Sequence, residues 1–147
     1  MESLPPEVCS CSAIRQAARH MTRLYDQILS PAGIGLNQYS ILAKLDRFGP
    51  NNLQELAGLL IMDRSTLGHL LRPLEERRLI TIKPSGVDRR QRIVALTKKG
   101  LALLNSAKSL WASAETRFGE VFGEANAAGL RAMMRQITMV DIGVAEA

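Results

Sequence analysis

The chain has 147 residues, 46% apolar and 22% charged, with a net charge of +5 and an isoelectric point near 9.7. That balance suits one globular domain with a real core and excludes a disordered chain. No apolar run approaches the ~20 residues of a membrane span, MESLPPEV is not a secretory leader, and Cys9 and Cys11 cannot build a disulfide framework, so a soluble cytoplasmic protein is expected.

Residues 1–9, with Pro5-Pro6, predict a loose arm. From Cys11 to Ser30 the apolar positions Ile14, Ala18, Met21, Tyr25 and Ile28 step by four, three, four and three, a helical stripe that Pro31-Ala32-Gly33 breaks. A second helix fits Asn37–Phe48, with Tyr39 (or Ile41), Leu42 and Leu45 inward, closed by Gly49-Pro50. Asn52 and Glu55 have capping-box spacing and open a short helix through Leu60 with Leu53, Leu56, Ala57 and Leu60 on its apolar face. Asp63 can cap the next helix, in which Leu67, Leu70, Leu71 and Leu74 recur at i, i+3, i+4 and i+7. The opposite face shows Arg64, Ser65, Gly68, His69 and Arg72. Two helices in tandem with a polar, basic outer face follow the helix-turn-helix plan. Pro73 inside the second helix removes an amide and crowds the turn before it, so a kink or tightening is expected there.

Leu79–Lys83 and Arg92–Leu96 are β-branched-rich runs joined by PSGVDRRQ, which predicts a hairpin with a long basic tip. Helix-turn-helix plus basic hairpin makes a winged helix. Such a wing lies along a nucleic-acid backbone or puts a cation into the minor groove. Between Arg64 and Gly100 ten Lys/Arg stand against three acids, a balance of +7; the whole chain is +5, so the remainder carries −2. Clustered cations point to a polyanion, most simply nucleic acid; the alternative is a basic face kept for solubility. Thr97 starts a long helix to about Gly119, with Leu101, Leu104, Trp111, Phe118 and Phe122 on one face. After a break at Gly123–Ala127, Leu130, Met133, Ile137, Val140 and Val144 repeat at three and four residues, a pattern suited to packing against other helices. The economical reading is a homodimer built by the N- and C-terminal helices, residues 11–30 and 124–144. The winged helix-turn-helix lobe is 37–96 and a linking helix is 97–119, all within one mainly α chain.

In this order and spacing, the residues resemble the MarR (multiple antibiotic resistance regulator) family from about Ile14 to Val144. The wing signature is Asp88-x-Arg90, a short strand, then Leu96-Thr97-x-x-Gly100; LAGLLIMDRSTLGHLLRPLEERRLI looks like the family's reading helices and LSPAGIGLNQYSILAKL like its first loop and second helix. The resemblance implies a triangular two-fold dimer that binds double-stranded, pseudo-palindromic operators, commonly as a repressor. It also implies release of DNA when a small anionic or aromatic ligand, or an oxidant, arrives. By position, Arg64, Ser65, Thr66, His69 and Arg72 fall on the major-groove helix, Arg89 and Arg90 at the wing tip, and Asp88 would brace an arginine there. Ser65 and Thr66 serve equally well as helix-start residues. Gly68 and Pro73 depart from the larger polar residues of many members.

An effector site between the dimer helices and the lobe would be lined by residues such as Met21, Tyr25 and Tyr39. Cys11 opens a helix with Arg15 one turn on, a setting that favours a thiolate, and CSAIR resembles the organic-hydroperoxide-sensing branch with its reactive cysteine at Cys11. That branch's accompanying tyrosine falls at Arg15, while Tyr25 keeps another aromatic. The alternative is an ordinary interface cysteine. Cys9, Cys11 and His20 lack a fourth ligand, so no metal and no cofactor are expected. Neither a Ser/His/Asp set, nor paired carboxylates, nor a phosphate loop is present, which argues against an enzyme. Three readings follow: a ligand-released repressor, an oxidant-sensing repressor using Cys11, or a winged helix that binds protein instead of DNA.

Overall fold

The computed structural model describes residues 8–143; the Pro5-Pro6 arm and Val144 lie outside them. Helix α1 spans Ser10–Leu29, followed by a short 3-10 turn at Ser30–Ala32 and by α2, Leu36–Phe48. A two-residue strand β1, Asn51–Asn52, leads into α3 (Leu53–Leu60) and α4 (Arg64–Glu76). Strands β2 (Ile80–Pro84) and β3 (Arg92–Leu96) form the hairpin, and α5 (Lys98–Phe122) and α6 (Glu124–Ile137) complete the chain. The result is mainly helical with a small antiparallel sheet, as expected.

The chain divides into two compact units, one up to Trp111 and one from Ala112. In the first, α2, α3 and α4 close on the sheet through Leu42, Leu56, Leu67, Leu71, Leu74, Leu79 and Val94, all essentially without exposure. Each such side chain contributes about 1.5–3 kcal/mol of burial. In α2 both Tyr39 and Ile41 are buried, not one of the two. Strand order is β1-β3-β2, with Asn52 opposite Ile93 and Ile82 opposite Val94. Nothing in Asn51-Asn52 signals a strand; pairing with β3 forms it, while Asn52 also caps α3 (its Oδ1 accepts the Glu55 amide at 2.8 Å).

The start of α5 explains the Leu-Thr-x-x-Gly motif physically. The Thr97 hydroxyl donates to the Arg78 carbonyl at 2.7 Å and accepts the Gly100 amide at 3.0 Å, while the Thr97 amide reaches the Leu79 carbonyl at 3.1 Å. Gly100 is buried so close to Leu79 that a Cβ would overlap its carbonyl. The inward face of α5 here is Leu104 and Ala107, whereas Leu101 and Trp111 are more than a third exposed, which corrects the expected stripe.

In the second unit, the end of α5 and α6 are joined by an Arg131–Glu115 pair at 3.8 Å, and Phe118 stacks on Phe122. Two boundaries differ from expectation. Helix α5 continues to Phe122 and stops at Gly123, whose φ of 94° an L residue avoids. Helix α6 stops at Ile137, short of Val144. The Thr138 hydroxyl donates to the Arg135 carbonyl at 2.7 Å, and the Met139 and Val140 amides reach back only three residues. The β-branched series Thr138, Val140 and Ile142 has little propensity to continue a helix.

Candidate nucleic-acid interface

The turn between α3 and α4 is made by Ile61 in a left-handed conformation, its amide reaching the Gly58 carbonyl at 3.2 Å. Asp63 then caps α4: its carboxylate accepts the Thr66 amide at 3.0 Å and the Thr66 hydroxyl as well. Thr66 thus takes part in the cap through both its amide and its hydroxyl, as a helix-start residue would. Helix α4 presents Arg64, Ser65, Gly68, His69 and Arg72 to solvent, opposite the buried Leu67, Leu71 and Leu74. Those leucines hold the helix down, so the polar face can only point outward. Pro73 is accommodated in a continuous helix.

The Thr66 hydroxyl bond, followed by the Thr66 amide bond, holds the Asp63 carboxyl below its ordinary range. A depressed acid stabilises the fold in full above the unfolded value near 3.8 and ceases to do so as pH falls through the folded value. Wild type is therefore expected to lose melting temperature on acidification below about pH 4 by more than Asp63→Ala does. Thermal melts of both proteins from about pH 7 to pH 3 check this, and parallel curves would refute it.

In the wing, Ser85 Oγ accepts the Val87 and Asp88 amides at 3.2 and 3.4 Å, and the Gln91 amide donates to the Asp88 carbonyl at 3.0 Å. Asp88 Oδ1 accepts the Arg90 backbone amide at 3.0 Å, but the Arg90 Nε is 3.9 Å away and that side chain is 96% exposed. Asp88 thus braces the turn through the Arg90 amide and stands in a long ion pair with the Arg90 side chain, and the side chains of Arg89 and Arg90 project from a fixed loop.

Arg64 and Arg90 line one cleft of about 190 Å³ between α4 and the hairpin, together with Arg92 and the first residues of α3. Arg89, His69 and Arg72 do not line it. Arg92 was missing from the sequence-derived interface, although a signal existed: it shares strand parity with Val94 and Leu96, so its side chain leans toward the helices.

Tyr25 and Tyr39 are buried, Met21 is half-buried, and Tyr39 stacks on Trp111 with centroids 5.9 Å apart. Burial raises the Tyr39 hydroxyl pKa. A shallow cleft of about 520 Å³ beside them is lined instead by Ala18, Arg19, Thr22, Arg23 and Asn37. At about 100° per residue, it opens on one flank of Tyr25 with Met21 on the other. At the start of α1 the capping thiol is Cys9, whose Sγ accepts the Ser12 amide at 3.4 Å; Cys11 is exposed two residues further in. Cys11 lies in the first turn of α1, as expected of a residue that opens a helix, and the cap itself is Cys9. Among the described residues no group of three or more His, Cys, Asp or Glu is placed to hold a metal, and no helix is long and apolar enough to cross a membrane.

A family model described as the MarR family matches residues 34–91, from the loop before α2 to the wing. The HTH-type transcriptional repressor NicR of Pseudomonas putida is 30% identical over 93 residues, 63% of this chain and 59% of that protein. The organic hydroperoxide resistance transcriptional regulator of Bacillus subtilis is 30% identical over 97 residues, 66% of each chain. The matched stretch therefore spans a little under two thirds of the length of these curated relatives. Among solved structures, the transcriptional repressor CouR bound to a 23-mer DNA duplex superposes with a TM-score of 0.80 at 30% identity, covering 94% of this chain and 99% of that one.

Proposed function

The chain belongs to the MarR family of winged-helix transcriptional regulators, and from that premise we propose that it is a repressor that binds a pseudo-palindromic operator as a homodimer. Regulators of this family are non-enzymatic DNA-binding proteins. The observation that carries the proposal is the outer face of α4 and the wing: Arg64, His69, Arg72, Arg89 and Arg90 are all exposed on elements whose other faces are locked into the core. In this reading α4 enters the major groove and the wing lies along the minor groove. Two copies of α4 then sit about one DNA turn apart, ~34–36 Å. Exposed apolar side chains on α6 and beyond, among them Met133, Ile137, Val140 and Ile142, support dimerisation through the terminal helices. A small anionic or aromatic effector is proposed along α1, near Tyr25 and Tyr39, where Arg19 and Arg23 supply positive charge beside the cleft. An effector that binds better to another lobe spacing shifts the population away from the DNA-competent form.

Equilibrium binding of the full chain to its own upstream region, repeated across salt concentrations, tests the proposal. A steep negative slope of log affinity against log salt and a two-fold-symmetric footprint are expected. A flat slope would favour the protein-binding reading instead. Arg89→Ala is expected to weaken binding uniformly and flatten the slope.

A second reading, in which oxidation triggers release, draws on the two exposed thiols and on the hydroperoxide-regulator relative. Peroxide would then abolish DNA binding in wild type and not in Cys11→Ser or Cys9→Ser. The hydrogen bond to Ser12 favours Cys9 as the thiol to test beside Cys11.

A further inference from the structure

We infer that the cleft between α4 and the hairpin is a binding site for one phosphate group, gripped jointly by Arg64, Arg90 and Arg92. The three arginines that line it come from different elements: the first turn of α4, the wing loop and the outer end of β3. No acidic side chain lines the cleft, although Asp88 Oδ1, 3.9 Å from Arg90 Nε, offsets part of that arginine's charge from outside it; the remaining wall is Asn52, Leu53, Gln54 and Gln91. Leu53 and Gln54 open α3, and first-turn amides have no acceptor within their own helix. At about 190 Å³ the cleft is below the ~300–1,000 Å³ of sites for drug-sized molecules, but it suits a tetrahedral oxyanion with a few waters. The ligand chemistry is a phosphoryl group, taken either from a DNA backbone or from solution.

The consequence is a division of labour within the wing. Arg90 belongs to the clamp and Arg89, outside the cleft, is the cation left for the minor groove. Because the arginines share one anion, a bound phosphate ties the wing to the recognition helix. The DNA-backbone arm rests on the DNA-binding reading above; the anion site itself does not.

Two measurements on the full chain test this. First, inorganic phosphate is titrated while the arginine side-chain Nε–H signals are followed by NMR, with sodium chloride at matched ionic strength as reference. Saturating shifts of Arg64, Arg90 and Arg92 are expected. They should be lost at the other two in Arg92→Gln and retained in Arg92→Lys, with circular dichroism unchanged. Shifts that merely track the chloride control would overturn the site. Second, the salt slope of duplex binding is compared between wild type and the triple variant Arg64→Gln/Arg90→Gln/Arg92→Gln. A shared phosphate predicts a slope smaller by about 0.9, whereas three separate phosphates predict about 2.7 and would sink the clamp. If phosphate saturates the cleft but wild type shows no salt-dependent duplex affinity, the operator reading fails while the site stands as one for free phosphate.

Discussion

Gly100→Val is expected to destabilise the first unit by about 3 kcal/mol or more, and thus lower its melting temperature by roughly 10–25 °C. The β-carbon would be driven into the Leu79 carbonyl, with the carbonyl carbon and Leu96 Cδ1 each 2.9 Å away. Overpacking that a flexible side chain could absorb costs about 1–3 kcal/mol. Here the obstacle is backbone, and that backbone is pinned: the same Leu79 carbonyl accepts the Thr97 amide, and the Leu79 amide is bonded to the Leu74 carbonyl. Relief would require moving the exit of α4, the base of the hairpin or the start of α5, all of which meet at this point. Gly58→Ala, whose β-carbon meets nothing within 4 Å, serves as the control and should be neutral or stabilising. Scanning calorimetry of the three proteins decides it; a loss under about 1 kcal/mol for Gly100→Val would mean the junction is softer than described.

Gly68→Glu should act in the opposite sense on two properties, stabilising the fold while lowering operator affinity at least 100-fold at ~0.1 M salt. A β-carbon at Gly68 meets nothing, and a glycine within a helix costs about 0.5–1 kcal/mol relative to alanine. A glutamate there also lies four residues from both Arg64 and Arg72, and such i, i+4 pairs add about 0.2–0.5 kcal/mol each. On the proposed DNA-facing side the same charge engages two arginines and repels the phosphates, which would remove about two units of salt slope. A raised melting temperature with undiminished affinity would show that this face of α4 is not the one that meets DNA.

Much of this was legible in the chain, because the signals were local and strong. The leucine stripe of α4, the Asn52–Glu55 box and the Asp63 cap specify their helices from residues three or four apart, and all three are seen. The buried seam of α5 was misread, because alanine at 107 carries no more local signal than a surface residue, while Trp111 looked like core and is partly exposed. Strand β1 could not be read from two asparagines, since its partner lies some forty residues on. The arginine cleft escaped for the same reason: Arg64 and Arg92 become neighbours only once the hairpin folds back. That the cap of α1 is Cys9, two residues ahead of Cys11, turned on the exact start of a helix, where boundaries carry the least information.

Pro73 has a mechanical consequence for α4. It lacks the amide that would bond the His69 carbonyl, so the ladder misses one rung near the middle of the helix. Behind that point the helix is moored: Arg77 Nη1 donates to the Gly33 carbonyl at 2.8 Å and the Leu79 amide to Leu74 at 2.9 Å. Ahead of it lie Arg64, Ser65 and Gly68. Bending stiffness along α4 is therefore uneven, lowest between its moored rear and its exposed front. A groove slightly wider or more curved than the helix would be matched by flexure there, with the lobe behind it staying in place.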